Sequence, residues 1–416
     1  MASRRPPRIV TMALDFSFSE EQELFRQTVR EFVDEEIRPM MPRGFVEGHE
    51  FPWAIVRKIQ KQGLMGVPIP REYGGAGMGE VGYCIMIEEL AHLDASVATI
   101  VGAHTGICVQ PLYLFGTEAQ RETFVRPLSD GRAIGAFALT EPQAGSDAAN
   151  IQTAAIKDGN EWVLSGTKTF VTNGDIADYL MVSAVTDPAL GARGGVTTFI
   201  VESKREGFKV ANVEDKMGIR LSTTAEIHLD GVRVPEENIL GKVGEGFIAA
   251  LTALDGGRII LGLGGIAGAH AILNRTLQYV KAREQFGEPL GKKQAIQFTL
   301  AECGAEIWAN RMACYKAAQD CEHYYEMIAA GKSVPKPFRD RVSRQSAMVK
   351  ILGSEIAGRV VDKCLQVYGA RGFMEGFDDL EVAFRDHIIS EIYEGTNDVQ
   401  RLIIGRELYK LGELPL

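Results

Sequence analysis

The spacing of apolar residues changes twice along this chain, and that excludes most architectures. From about residue 17 to 130, and again from 245 onward, apolar residues recur at helical spacing. Between 133 and 244 the runs are short and rich in Val, Thr and Ile. The opening stretch "SFSEEQELFRQTVREFVDEEIRP" has Ser19 and Gln22 at capping-box spacing, then Phe25, Val29, Phe32 and Val33 on one helical face, with Pro39 closing it. "PIPREYGGAGMGE" reads as a loop, after which "GYCIMIEELAHLDASVATIVGAHTGICVQPLYLFG" resumes helical periodicity. In the middle, "EWVLSGTKTFVTNG", "YLMVSAVT", "VTTFIVES" and "AEIHLDGVRVP" are separated by Gly, Asp and Asn at roughly ten-residue spacing, the mark of a small sandwich or barrel. Long helical runs follow, including "FIAALTALDGGRIILGLGGIAGAHAILNRTLQYVKAREQFG" and "AIQFTLAECGAEIWANRMACYKAAQD". Helices, strands, then helices is a segregated α+β arrangement, mostly α, and not alternating βαβ. The expected parts are a disordered tail over 1–15, a helical domain over 16–132, a β-domain over 133–244 and a second helical domain over 245–416.

Charge and cysteine content narrow the partners. The net charge of −10 disfavours nucleic acid and anionic membrane surfaces. The one basic cluster, "SRRPPR" at 3–8, precedes a second possible start at Met12 and is too short for a transit peptide. No uninterrupted run of 18 apolar residues occurs, so no membrane span is expected. Cys84, Cys108, Cys303, Cys314, Cys321 and Cys364 are scattered without a Cys-x-x-Cys pair. They read as buried reduced thiols of a cytoplasmic protein, with no metal site. "GLGGIA" at 262–267 matches a dinucleotide fingerprint, but it lies inside a helical pattern with no strand before it. Small residues there, Gly264, Ala267, Gly268 and Ala271, are expected instead to let another helix approach closely.

Three stretches hold groups that could do chemistry. In "SEIYEGTNDVQRL", Glu394 lies between a tyrosine and a glycine just before a helix start, and Asn397 and Gln400 have capping-box spacing. "GAFALTEPQAGSD" at 135–147 offers free backbone N–H groups and the side chains of Thr140, Glu141, Ser146 and Asp147 to a polar or anionic ligand. "GTKTFVTNG" at 166–174 alternates Thr and Phe on a strand, and Phe170 is either core or the cover of a flat ring. Taken singly, each stretch reads equally well as an ordinary turn, strand or solvated acid.

In order and at these distances they are specific. "LTEPQAGSD", "SGTKTFVTNG", "VPEENILG", "LDGGRI", "REQFGEPL", "QVYGARGF" and "EIYEGTNDVQRLIIGRE" resemble the acyl-CoA dehydrogenase family, closest to its short-chain (butyryl-type) branch, over roughly residues 16–410. The resemblance implies a helical N-terminal domain, a central β-barrel or sandwich and a C-terminal four-helix bundle. It implies FAD, a homotetramer built as a dimer of dimers, and oxidation of an acyl-CoA to the trans-2-enoyl-CoA, with the β-hydride passing to flavin N5. Electrons then go to an electron-transferring flavoprotein. Phe137, Leu139 and Thr140 would meet the flavin ring, with Phe170 and Thr172 about its other parts; many relatives have Trp at the Phe170 position. Ser146 would touch both CoA and FAD, and Asp255 and Arg258 would touch CoA. Arg283, Phe286 and Gln294 resemble an arm to a neighbouring subunit's FAD. Gln366, Gly369, Thr396 and Asp398 resemble further FAD contacts, although Asp398 departs from the usual Gln or Glu.

An α-hydrogen of a thioester is a very weak acid, so its removal needs a placed carboxylate and hydrogen bonds to the carbonyl oxygen. The resemblance gives Glu394 that role, with Gly395 allowing close backbone approach to substrate. Some relatives carry the base just before the arginine of "LDGGRI"; here that position is Gly257. Gly257 and the short-chain resemblance favour short or branched acyl groups. Alternatives are a dicarboxylyl or cyclic acyl-CoA, a flavin acyl-CoA oxidase, or a non-catalytic flavoprotein. "DASVATIVGAHTG" has no Lys or Arg to hold a distal carboxylate, and its His104 is more readily a satisfied core or surface histidine than a tail contact. "EHYYEMIAAGKSVPKPFRDRVSRQ" at 322–345 reads as an exposed excursion between helices.

Overall fold

In a computed structural model of the protein, residues 17–42, 44, 46–48 and 50–414 are described, and the expected tail over 1–15 lies outside them. Helix α1 (Glu20–Phe32) starts where the capping box is expected: Gln22 N–H donates to Ser19 Oγ at 3.2 Å and Ser19 N–H to Gln22 Oε1 at 2.9 Å. Helices α2 (Trp53–Lys61), α3 (Gly79–Leu93) and α4 (Ala95–His104) follow, and shorter helical segments continue the first helical part to Ser129. Asp94 separates α3 from α4 and caps the latter, accepting from Val97 N–H at 2.9 Å.

The middle residues form one eight-stranded sheet, mostly antiparallel. Its strands are β1 (Gly135–Ala138), β2 (Ala154–Asp158), β3 (Glu161–Thr172), β4 (Tyr179–Val185), β5 (Val196–Glu202), β6 (Phe208–Val213), β7 (Thr224–Pro235) and β8 (Ile239–Leu240). The order is β6-β7-β3-β2-β4-β5-β8, with β1 pairing β4 in parallel. The rings of Trp162 on β3 and Phe199 on β5 are 5.8 Å apart although β2 and β4 separate those strands, so the sheet curls around its own core.

Helices α5 (Gly246–Ala282), α6 (Gln294–Ala329), α7 (Lys336–Tyr368) and α8 (Asn397–Leu411) form the last part, and α5 packs against α3, α6 and α7. The stretches Ala95–Phe115 and Gly246–Ala282 are long and apolar enough to cross a bilayer, but most of each is buried inside the protein. All six cysteines are buried and unpaired. "GLGGIA" lies mid-way along α5, where it serves helix packing. The residues that let α7 approach are Gly262 and Gly265, facing Gly353, whereas Gly264 and Gly268 face Ala91 of α3.

The segment 322–345 is not an exposed excursion. Helix α6 runs on to Ala329 and α7 begins at Lys336, which leaves only residues 330–335 as a link. Tyr324, Tyr325 and Val342 are 3%, 6% and 1% exposed, and burying them is what extends both helices.

A Cβ at Gly353 would strike backbone atoms of Gly262, with Cα only 2.5 Å away, whereas one at Gly264 would meet Ala91 Cβ at an ordinary 3.7 Å. Gly353→Ala is therefore expected to destabilise by about 1–3 kcal/mol, seen as a lowered thermal midpoint. Gly264→Ala is expected to be neutral or slightly stabilising in the same measurement.

Candidate active site

Glu394 lies on a short loop between a helical turn at His387–Glu391 and α8. Its backbone is in the left-handed region at φ 51°, followed by Gly395 at φ 93°. Such a conformation is rare for a residue with a side chain and persists only where neighbours enforce it. Three groups do so. Gln400 Nε2 donates to the carbonyls of Glu394 and Gly395 at 3.3 and 2.9 Å, and Arg258 Nε donates to the Glu394 carbonyl at 3.4 Å. The expected Asn397/Gln400 capping box is not what forms. Thr396 is the N-cap, accepting from Val399 N–H at 3.3 Å, and Gln400 turns back to hold the loop instead.

The Glu394 carboxylate rests against α5 at Gly257. A Cβ there would collide with Glu394 Oε2 and lie 3.0 Å from Cδ and 3.1 Å from Ile107 Cγ2. The absence of a side chain at Gly257 is thus what makes room for the acid. Glu394 Oε2 is buried with no hydrogen-bond partner among the described residues. Burial raises this carboxyl to about 7, against the lowering pull of Arg258 and Lys350.

Glu394 opens on a cavity of about 990 Å³. Gly257, Arg258, Gly395 and Thr396 line it beside the acid, and Phe137, Leu139, Thr140, Ser146, Phe170 and Thr172 line it from the β-domain. The β-domain wall is fixed by a buried ion pair. Lys168 Nζ on β3 reaches Glu141 Oε1 at 2.7 Å and the Leu139 carbonyl at 3.0 Å, with the two side chains 0% and 3% exposed. Burial alone would raise Glu141, but Lys168 and hydrogen bonds from Thr153 and Gln152 bring it down to about 2. Thr169 N–H also donates to the Thr140 carbonyl at 2.9 Å. Phe170 is itself at φ 57° and exposed, so it is no core residue.

The other expected site residues lie elsewhere in the single chain. Asp255 is off the cavity and paired with Arg258 at 3.0 Å; both are buried. Arg283 and the 93%-exposed Phe286 belong to a projecting hairpin, Glu284–Gln285 with Glu288–Pro289, and Gln294 opens α6 beyond it. Gln366 and Gly369 are exposed at the end of α7, and Asp398 is exposed and paired with Arg401. His104 is a satisfied core histidine. Its ring bonds the Leu128 carbonyl at 3.1 Å and Gly135 N–H at 2.9 Å, and burial pushes it down to about 4.

Two features escaped the sequence reading. Lys350, on α7, is fully buried and donates to Asn397 Oδ1 at 2.8 Å. A lysine inside the small and apolar stretch "SAMVKILGSEIAG" is the signal that could have found it. Tyr325 is spliced into α5: its hydroxyl accepts from Gly256 N–H at 3.0 Å and donates to the Thr252 carbonyl at 2.9 Å, bridging one turn of the helix.

Comparison with known proteins agrees with this layout. Family models for the acyl-CoA dehydrogenase N-terminal, middle and C-terminal domains match residues 19–132, 136–232 and 244–409. A short-chain-specific acyl-CoA dehydrogenase of Clostridium acetobutylicum is 37% identical over 95% of this chain and 100% of its own length. The structure of butyryl-CoA dehydrogenase from Megasphaera elsdenii superposes with a TM-score of 0.87 at 37% identity, covering 95% of this chain and 100% of that one. A chain in a structure of the electron transferring flavoprotein of Acidaminococcus fermentans gives 0.87 at 36% identity, covering 95% and 99%. The chain belongs to the acyl-CoA dehydrogenase family. It is an oxidoreductase of that type, on the short-chain branch, and FAD is its cofactor. The cavity fits such a group: it is large, mostly apolar and edged by a few polar atoms, as cofactor sites are.

Gly257→Ala is expected to push the Glu394 carboxylate out of place. The rate of flavin reduction by acyl-CoA should fall by about 10²-fold while FAD content stays unchanged. Stopped-flow absorbance of the purified holoenzyme reads both.

Proposed function

We propose that the protein oxidises a short or branched acyl-CoA to its trans-2-enoyl-CoA, with Glu394 as the base that removes the α-proton. The observation that carries this reading is a buried, unpartnered carboxylate opening on an apolar cavity that is also walled by the flavin-family loop at 137–140. Burial leaves its oxygen without a competing donor and brings its proton affinity to the working range of pH, as a general base requires. The Glu394 N–H has no acceptor among the described residues, so it is free to donate to a thioester carbonyl where charge grows. Gln400 and Arg258 hold the loop so that N–H and carboxylate stay in register.

Bound FAD would supply the acceptor for the β-hydride. Phe137, Leu139, Thr140, Phe170, Thr172 and Thr396 are its proposed holders within one chain, and Ser146 a contact to it and to CoA. Arg283, Phe286 and Gln294 are proposed contacts to the FAD of a neighbouring subunit in a homotetramer, in keeping with their place on or beside a projecting hairpin, and Gln366, Gly369 and Asp398 are proposed further FAD contacts. An electron-transferring flavoprotein is the proposed electron acceptor, supported by the likeness to a chain studied with one. The proposed setting is cytoplasmic, in keeping with the bacterial relatives.

Ile107, Leu251, Leu254 and Leu261 give the cavity apolar walls, and a Cβ at Gly102 would meet nothing within 4 Å, so there is room for a branch. Arg258 is already paired. Butyryl- or isobutyryl-CoA is therefore expected to be turned over at least ~10-fold better than glutaryl-CoA, because burying an unpaired distal carboxylate costs several kcal/mol. Higher kcat/KM for a dicarboxylyl-CoA would refute this.

Glu394→Gln should lower flavin reduction by at least ~10³-fold and leave FAD binding intact. In the native enzyme the base works only when ionised, and its carboxyl is raised to about 7. The reduction rate should accordingly rise with pH through that region and then level off. Near-native flavin reduction by Glu394→Gln would show that the base is another residue.

A further inference from the structure

The surroundings of Glu394 hold two buried cations, and only one has a carboxylate of its own. Arg258, on α5, pairs with Asp255 at 3.0 Å, with both side chains under one-tenth exposed. Lys350, on α7, is fully buried, yet it donates to a neutral amide, Asn397 Oδ1 at 2.8 Å. That amide is itself held in place. Asn397 Nδ2 donates to Ser354 Oγ at 3.0 Å and Glu355 Oε1 at 3.4 Å, and Glu355 is in turn engaged by Arg401. Asn397 is the first residue of α8 and follows the Glu394–Thr396 loop directly. An isolated buried ammonium is costly, and so is an isolated buried carboxylate. Here one of each lies beside the same loop: the carboxylate has an unpartnered oxygen, and the ammonium has no carboxylate bonded to it.

We propose that Lys350 is the counter-charge of Glu394, a positioning residue that keeps the base ionised in a dry pocket and, through Asn397, holds the start of α8 against α7. The proposal rests on the reading of Glu394 as the base. Its geometry explains why the contact is indirect. An ammonium bonded straight to the carboxylate would occupy the oxygen that must receive the α-proton, and would lower its basicity too far. Bonded to an amide instead, the charge acts through space and leaves the oxygen open. When Glu394 takes up the proton, it becomes neutral and Lys350 keeps its bond to Asn397, so the loop need not move during the reaction.

Other charged and titratable groups also face this pair. Arg258 from α5, Lys350 from α7 and Tyr83 from α3 bear on Glu394, together with the adjacent Tyr393. Glu391, Arg258 and Arg401 bear on Lys350, whose strongest attraction is to Glu394. Arg258 pulls on Glu394 more strongly than Lys350 does, but Arg258 and Arg401 are each matched by an acid, whereas Lys350 is bonded only to an amide.

The test is the pH dependence of flavin reduction in holoenzyme variants, read beside FAD content. Lys350→Met removes the positive charge, so Glu394 should hold its proton to higher pH and the acidic limb should move up by about one pH unit, with the high-pH rate largely kept. Lys350→Arg should leave the limb near its native place. Asn397→Asp keeps the shape and gives Lys350 a carboxylate of its own, so it should also move the limb upward, even if Lys350→Met fails to fold. Isotope-edited infrared titration of the Glu394 carboxyl, which needs no turnover, should show the same displacement. A limb that stays put in Asn397→Asp, or a Lys350→Met rate that drops equally at every pH, overturns the proposal. Failure of the base assignment looks different: Glu394→Gln would then reduce its flavin normally.

Discussion

Everything about the site depends on keeping one carboxylate dry and unbonded without letting it wander. A buried acid ordinarily finds a donor, and one that finds a donor is a poor base. Here the restraint is placed on the backbone instead. Gln400 and Arg258 take the carbonyls of the Glu394–Gly395 turn, the left-handed twist at Glu394 aims the side chain, and the bare surface of Gly257 receives it. The side chain is located by shape and its oxygen is left without a donor. The rest of the bundle serves this arrangement. Helices α5 and α7 meet closely through Gly262 and Gly353, and each carries one of the two cations that bear on Glu394, Arg258 and Lys350.

The opposite wall solves a different problem by opposite means. There the groups to be fixed are the Leu139 and Thr140 backbone, and the device is a fully satisfied salt bridge. Lys168 bonds both Glu141 and the Leu139 carbonyl, and Glu141 takes two backbone N–H groups besides. Breaking such a pair from one side leaves an uncompensated charge, so the loop is held strongly to β3. One wall is therefore rigid through charge, and the other holds its charge in reserve.

Much of this was legible in the sequence, for physical reasons that also mark the limit. The two changes of period show directly because burial of one face imposes period on each helix and strand. The Ser19–Gln22 cap is local and was read correctly. Glu394 emerged only through the ordered motifs, since a lone acid before a helix has no distinctive local signal. The capping residue of α8 was misplaced by one because Thr396, Asn397 and Gln400 offer competing patterns, and only the loop carbonyls decide among them. The link at 330–335 was taken for a longer excursion because its charges are surface-like, while Tyr324, Tyr325 and Val342 find their partners in other helices. Lys350 and Tyr325 were invisible for the same reason. Their partners lie 47 and 69 residues away in the chain, and no periodicity reports a hydrogen bond across helices.

The tyrosine spliced into α5 has a mechanical consequence. A continuous helix bends only by stretching or losing a backbone bond. Between Thr252 and Gly256 the helix carries two further bonds, to the hydroxyl of a side chain from another helix. The first turns of α5 rest on the sheet, where Thr198 Oγ1 donates to the Gly246 carbonyl, and the remainder rests on the bundle. The Tyr325 hydroxyl thus ties α6 to α5 at the joint between sheet and bundle, and a shift of α6 would be felt one residue short of the glycine on which the Glu394 carboxylate leans.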